Sequence, residues 1–434
     1  MKCIENEIPF EVPEGWAWCR FTSVTVNRDS ERKPISSANR TNVAKIYDYY
    51  GASGKIDKID KFIFNEKLLL IGEDGANLVT RSKPIAFFAE GQYWVNNHAH
   101  CIDSTDKLIL EYLCLYINAI SLEKYVTGSA QPKMTQDNMN SILIALPPYE
   151  EQKRLEFQVN HILKTVSTIE NEKEDIVNYI SSAKSKILDL AIRGKLVPQN
   201  PNAEPASVLL ERIRAEKEEL IKAGKIKRDK KESIIFRGED NSYYQQTGTL
   251  IENINDWNLD DIPINWELCC LGEICDYGNC VNVDTKDIDE EAWVLDLEDI
   301  EKDSGKVIHK IRKYERNSSS TKHLFKKGQV LYSKLRPYLN KVVLADEEGF
   351  CTSEILPLNF SNVVEPQYAL YYLMSPTFLK YANRCSYGVK MPRLGTADGR
   401  KAVFPLPPFE EQRRISRHIS KIFIEIDNIS NMLL

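Results

Sequence analysis

Apolar residues recur in alternating steps of four and three at Leu155, Val159, Ile162, Val166, Ile169, Ile176, Ile180, Ala183, Ile187 and Leu190. Lys173 is the one polar intrusion. The spacing returns at Ile415, Ile419, Ile422, Ile426, Ile429 and Leu433. A 3.5-residue period is the seam of a coiled coil, and a lone amphipathic surface helix drifts off it over such a length. The pattern predicts long helices over 150–193 and 410–434, whose seams pair with each other or with a helix from another chain. Residues 155–190 alone would span roughly 54 Å.

Each helix follows a repeated segment. Leu146-Pro147-Pro148-Tyr149-Glu150-Glu151-Gln152-Lys153-Arg154-Leu155 recurs as Leu406-Pro407-Pro408-Phe409-Glu410-Glu411-Gln412-Arg413-Arg414-Ile415, an offset of 260 residues. Proline suits a helix start, and paired glutamates favour its positive end. Weaker matches join Val12-Pro13-Glu14-Gly15-Trp16 to Ile262-Pro263-Ile264-Asn265-Trp266 at offset 250, and Lys133-Met134 to Lys390-Met391 at offset 257. Two domains of one architecture follow.

Between the repeats the pattern is mixed. Residues 62–71, 85–88, 93–96, 329–333 and 340–345 read as strands from their β-branched and aromatic content. Residues 108–120 and 367–382 read as helices, the second with Pro376 near its middle. Gly194, Pro198, Pro201 and Pro205 stop the first long helix. A short charged helix over 206–223 follows, then the basic run 225–231, then a polar, loosely ordered stretch over 232–256. This divides the chain into a globular domain at 1–148, a long helix at 149–194, a linker at 195–256, a second globular domain at 257–408 and a second helix at 409–434.

Composition narrows the classes. The 434 residues are 42% hydrophobic and 28% charged, and no apolar run reaches membrane-spanning length. The first sixteen residues lack the apolar core of a secretory signal, and ten cysteines fall without framework spacing, which implies a reducing cytoplasm. A net charge of -6 argues against an all-over basic binder. Locally the signs separate: residues 276–303 hold eleven acids against Lys286 and Lys302, and residues 306–341 hold eleven bases against Glu315. The basic block reads equally as a phosphate-facing surface or as a solvated face.

Enzymatic motifs are sparse. Leu-Pro-Pro-Tyr and Leu-Pro-Pro-Phe resemble the Asn/Asp-Pro-Pro-aromatic tetrapeptide of amino-group DNA methyltransferases, but leucine cannot accept from a base amine. No phosphate-binding glycine loop occurs. Cys269, Cys270, Cys275 and Cys280 form one block, whereas a zinc site usually takes two separated knuckles; strand cysteines are the better reading. His98 and His100 alternate along an expected strand and so share a face, either as a structural pair or beside a base-reading surface. Glu73 and Asp74 could accept from cytosine amines and Asn77 could read adenine, though Gly72–Asn77 also describes a tight turn.

Repeat, helices and linker together resemble the DNA-specificity subunit of type I restriction-modification systems, over nearly the whole chain. The segments 146–154, 406–414 and 191–227 carry the likeness, with 70–79 and 93–100 similar to one variety of recognition domain and 327–345 to another. The resemblance implies an α+β fold. Two mixed target-recognition domains are held apart by long helices that pair as an antiparallel coiled coil. Each domain would read one half of an asymmetric bipartite site in double-stranded DNA. The implied partners are two methyltransferase subunits on the helices, and restriction subunits. S-adenosylmethionine, ATP and Mg²⁺ are expected on those partners and no cofactor on this chain. The second helix departs from the family by stopping in mid-seam after 25 residues, which leaves open a short native helix, a truncation, or completion by another chain.

The expectation is a non-catalytic DNA reader. Its candidate contacts are Glu73, Asp74, Asn77, Asn97, His98 and Lys133 in the first half, and Lys334, Arg336, Tyr338, Lys341, Lys390 and Arg393 in the second. Lysine and arginine would mostly hold phosphate while polar loop residues read bases. The rival reading is a coiled-coil scaffold whose globular ends bind proteins, and a stand-alone methyltransferase is a third.

Overall fold

The computed structural model describes residues 4–224, 232–257, 259, 261–316 and 320–433. The basic run at 225–231 lies outside the described residues. The chain forms two compact units, Met1–Asn171 and Glu172–Leu434, and the division falls inside a long helix. Among the described residues no helix is long and apolar enough to cross a membrane.

In the first unit the strand Leu68–Gly72 is buried along its whole length. Leu69 and Ile71 join a core with Phe21, Ile102, Leu113 and Ile144, while Leu68 and Leu70 join another with Phe64, Tyr93 and Val95. Burial on both faces accounts for a continuous apolar run in place of alternation. The strand pairs antiparallel with Ala86–Ala89 on one side and Ala99–Asp103 on the other. A second sheet orders Gly54–Ile59, Tyr47–Gly51, Gln92–Val95 and Phe64–Asn65. The expected strand at 62–71 is thus two strands in different sheets. Helix α1, Lys107–Ala119, packs beside the first sheet, and α2, Tyr149–Ile192, follows the Leu-Pro-Pro segment.

In the second unit the end of α2 is followed by α3, Ala206–Lys222. Residues 232–256 are not loosely ordered: they form a three-stranded antiparallel meander of Ser233–Arg237, Tyr243–Thr247 and Leu250–Asn253. Its inner face buries Ser233, Ile235 and Gln245, and the Gln245 amide donates to the Lys401 carbonyl at 2.7 Å. The main sheets order Val281–Val283, Lys322–Phe325, Gly349–Thr352 and Trp293–Leu295, and Val342–Leu344, Val330–Ser333 and Ile355–Leu358. The single helix expected over 367–382 is two, α4 (Pro366–Met374) and α5 (Pro376–Arg384). Ser375 is extended, as a residue before proline prefers, and its hydroxyl caps α5 by accepting from the Phe378 amide. Helix α6, Phe409–Leu433, closes the chain.

The two units repeat one frame. Ala17–Arg20 pairs antiparallel with Leu143–Leu146, and Glu267–Cys270 pairs in the same way with Val403–Leu406. Tyr116 donates to the Leu143 carbonyl at 3.1 Å and Tyr112 to that of Ala145; Tyr368 donates to Pro405 at 2.9 Å and Tyr372 to Val403. The repeated glutamine makes the same bond in both units, where the buried amides of Gln152 and Gln412 each donate at 2.9 Å, to the carbonyls of Pro147 and Pro407. One sequence match needs correcting. Thr127 bridges Lys133 around Gly128, and Tyr387 pairs with Arg393 around Gly388, both glycines having positive φ. Lys133-Met134 therefore corresponds to Arg393-Leu394 at offset 260, not to Lys390-Met391.

Within the second unit α2 and α6 run antiparallel. Lys184 meets Asp427 at 2.5 Å, Leu188 and Ile192 share a core with Ile415 and Ile419, and Gln199 meets Glu411 at 2.5 Å. Ile162, Val166 and Ile169, farther back on α2, are exposed. Helix α2 ends at Gly194 (φ +66), where an added Cβ would lie 2.3 Å from Pro263.

The repeated glutamines differ in how fully they are used. Gln412 also accepts from the Glu365 amide at 2.8 Å and donates to Val363 at 3.1 Å, whereas the buried Oε1 of Gln152 has no partner. Gln412→Ala should cost about 2–4 kcal/mol and Gln152→Ala about 1 kcal/mol less, because the former strands more buried groups. Urea denaturation of both variants checks the ranking.

Candidate nucleic-acid interface

In the first unit the chain leaves Leu68–Gly72 into the turn Glu73-Asp74-Gly75. Backbone bonds hold it: Glu73 N–H donates to His98 at 2.9 Å, Met134 N–H to Glu73 at 2.7 Å, and Gly75 N–H to Pro132 at 2.9 Å. Gly75 sits at φ +106, a region open to glycine. The buried Glu73 carboxylate lies between Arg32 (2.6 Å) and Lys133 (3.1 Å). Asp74 pairs with His98 Nδ1 at 2.7 Å. Behind them the buried His100 bonds Asp29 at 2.6 Å and the Met134 carbonyl at 3.0 Å. Burial raises the Asp29 carboxyl, but the hydrogen bond and charge of His100, with the Cys101 amide and Arg32, outweigh it and leave it below its ordinary range.

The histidine pairing needs correcting. Gln92–Val95 ends before Asn96, whose side chain accepts from His98 N–H at 2.8 Å in a turn. His98 is therefore exposed while His100, in the next strand, is buried, and they share no face. The structure brings Glu73, Asp74, His98 and Lys133 together. Asn97 is exposed at the turn beside them. Asn77 faces its own loop, accepting from Ser82 and the Lys83 amide and donating to the Lys83 carbonyl.

In the second unit the corresponding turn follows Val330–Ser333. Lys334 N–H donates to Glu354 at 3.0 Å, Leu394 N–H to Lys334 at 3.0 Å, and Arg336 N–H to Pro392 at 2.7 Å. Arg336 is left-handed, with φ +49. Such backbone costs a non-glycine residue about 1–3 kcal/mol and concentrates at functional sites. Its Nε is buried and without a hydrogen-bond partner. Tyr338 is 47% exposed, and the neighbouring hairpin presents exposed Tyr387, Val389 and Lys390. Arg393 is held by Glu354 at 2.9 Å, and Lys341 is turned inward to the Leu297 carbonyl at 2.6 Å.

The basic block is mostly neutralised at home. Lys306 meets Asp427, Lys310 Asp346, Arg312 Glu347, Lys313 Glu290, Arg316 Asp299 and Lys322 Asp296, all within 3.1 Å. Lys334 and Arg336 form no ion pair among the described residues, which reduces the free positive surface of the block to its turn and the Lys326-Lys327 pair. Cys269 and Cys270 lie in a buried strand, and burial pushes the Cys270 thiol up to about 12. Among the described residues no three His, Cys, Asp or Glu side chains gather as a metal set. Sequence reasoning missed Arg32, Asp29 and Glu354 as members of these clusters, and it set His100 on a shared face with His98 where the structure buries it behind the turn. Arg32 and Asp29 had no signal, and Glu354 carries none either, since it stands 256 residues after His98 while the repeat's offset is 260, and only the backbone bonds match the two.

The family model described as "Type I restriction modification DNA specificity domain" matches residues 13–182 and 263–433. The chain belongs to that family and carries two of its domains. It is 21% identical over 400 residues to the EcoDI specificity subunit of Escherichia coli, covering 89% of this chain and 77% of that one. To the EcoAI specificity subunit of Escherichia coli it is 29% identical over 267 residues, covering 59% of this chain and 41% of that one. Its fold is similar to a chain from a solved type I restriction-modification system studied for complex assembly and conformational transition. There the TM-score is 0.52 at 16% identity, with 98% of this chain and 94% of that chain covered.

Breaking the inner ion pairs should be costly and the outer one cheap. Arg32→Ala leaves the buried Glu73 and Asp29 short of a partner and should lose about 2–4 kcal/mol, whereas Lys133→Ala, at a half-exposed lysine, should lose under about 1 kcal/mol. Denaturant midpoints compare the two. Asp29, with its lowered carboxyl, contributes stability that is complete above the ordinary Asp value of about 4 and is lost as pH falls through the lower folded value. Asp29→Asn should be less stable at neutral pH and lose less on acidification; equal acid slopes would contradict this.

Proposed function

We propose that this chain is the DNA-reading subunit of a type I restriction-modification complex, with each domain reading one half of an asymmetric bipartite site. The observation that carries it is the turn beside the proline hairpin, present in both family-matched domains and built on the same backbone bonds with different side chains. In the first domain Glu73, Asp74, His98 and Lys133 offer mixed donors and acceptors, with Asn97 and Asn77 at the margins. In the second, Lys334 and Arg336 offer donors, Tyr338 an exposed ring, and Lys390 a phosphate contact; Lys341 and Arg393 hold the loops. Different readers suit an asymmetric site, since a palindrome needs identical ones.

In this reading the chain performs no chemistry. Two methyltransferase subunits dock on the long helices and bring S-adenosylmethionine, and restriction subunits bring ATP and Mg²⁺, all in the cytoplasm. The exposed seam residues Ile162, Val166 and Ile169 suit such a partner.

Methylation mapping by long-read sequencing tests the function. A host expressing the chain with its cognate methyltransferase should carry a split, asymmetric adenine-methylated motif that disappears on deletion of this chain. No motif, with folded protein present, rejects the reading. Lys390→Ala in the assembled complex should weaken binding about equally across sequences and lower the salt slope by about 1; an unchanged slope removes Lys390 from the interface.

A further inference from the structure

The two domains can be compared position by position from their backbone bonds. The carbonyls of His98 and Glu354 accept from residues 73 and 334, the amides of Met134 and Leu394 donate to those same residues, and the carbonyls of Pro132 and Pro392 accept from residues 75 and 336. Bridges join Asp74 to Lys133 and Leu335 to Arg393. Hence Glu73 matches Lys334, Asp74 matches Leu335, Gly75 matches Arg336, His98 matches Glu354, and Lys133 matches Arg393. The match extends to backbone conformation: Gly75 and Arg336 both have positive φ.

The matched positions differ in kind. His98 and Lys133 are paired to acids in the first domain, and Glu354 is paired to Arg393 in the second. In the first domain those pairs tie the turn to His98 and to the hairpin, and in the second the pair ties the hairpin to Glu354. The position of Gly75 and Arg336 stands outside them. In the first domain it has no side chain, and an added Cβ there would meet nothing within 4 Å. In the second it holds a guanidinium with no ion pair among the described residues and a buried, unpartnered Nε. A left-handed backbone suits glycine, so an arginine there retains strain with no ion pair to offset it.

Resting on the DNA-reading function above, we propose that this left-handed position is a selector of half-site specificity: Arg336 reads a guanine in the half-site of the second domain, while Gly75 leaves the equivalent step in the first half-site unread. An arginine fork matches the two acceptors that guanine presents in the major groove. Lys334 and Tyr338, on either side in the turn, supply the phosphate and packing contacts that seat it.

The test is methylation mapping of the assembled complex carrying wild type, Arg336→Gly or Arg336→Lys. Arg336→Gly installs the residue of the first domain and relieves the left-handed strain, so the fold is retained. One half of the motif should lose its demand for a G·C pair, with discrimination there falling tenfold or more, while the other half is unchanged. Arg336→Lys keeps the charge without the fork and should relax the same pair. An unchanged motif in Arg336→Gly, relaxation of both halves, or relaxation at an A·T pair overturns the assignment while leaving the DNA-reading function standing. Absence of any split motif in wild type overturns that function, and the assignment with it.

Discussion

Both candidate loops are fixed by main-chain hydrogen bonds between the turn after a buried strand and a proline-bearing hairpin. Peptide groups are the same in every residue, so this clamp does not depend on which side chains sit on it. That independence lets a glutamate in one domain stand where a lysine stands in the other without disturbing the strand behind it. The strand is anchored by its two antiparallel neighbours and by burial, on both faces in the first unit and along its whole length in the second. Rigidity and variability are thus assigned to different atoms.

Charge follows the same division. A net -6 sits awkwardly with a protein that binds a polyanion. The structure removes the difficulty by pairing most lysines and arginines of the basic block with local acids, which organise the second unit. Asp296 shows the balance: burial raises its carboxyl, yet hydrogen bonds from Arg316 and Lys322 prevail and hold it low. The positive charge of the block that is left without an ion pair among the described residues is then confined to the turn at Lys334 and Arg336 and to Lys326-Lys327.

The long helices and the duplication were legible because each leaves a long-range numerical trace, a 3.5-residue period and a ten-residue match. Finer register was not. A Lys-Met dipeptide is too short to align two domains, and the correct correspondence rests on Gly128 and Gly388, whose shared backbone conformation a sequence does not display. The histidines misled for a related reason: alternation predicts a common face only while the strand lasts, and a side-chain-bonded turn interrupts it before His98. The meander over 233–253 was hidden because its polarity does not follow its burial: Ser233 and Gln245 face inward while Ile234, Phe236, Leu250 and Ile251 are exposed. Arg32 and Asp29 reach the cluster from some forty residues upstream of Glu73 and Asp74, a proximity that only the folded sheet creates.

The pairing of Ala17–Arg20 with Leu143–Leu146, and of Glu267–Cys270 with Val403–Leu406, carries a consequence for inheritance. Each domain is entered and left through neighbouring strands, so the intervening polypeptide is a closed cassette with adjacent ends. Near-identical sequence lies just beyond the exit of both cassettes. A single genetic exchange could replace one whole reader with another while leaving the helices in phase. New targets would then arise in one event, without passage through a succession of poorly folded intermediates.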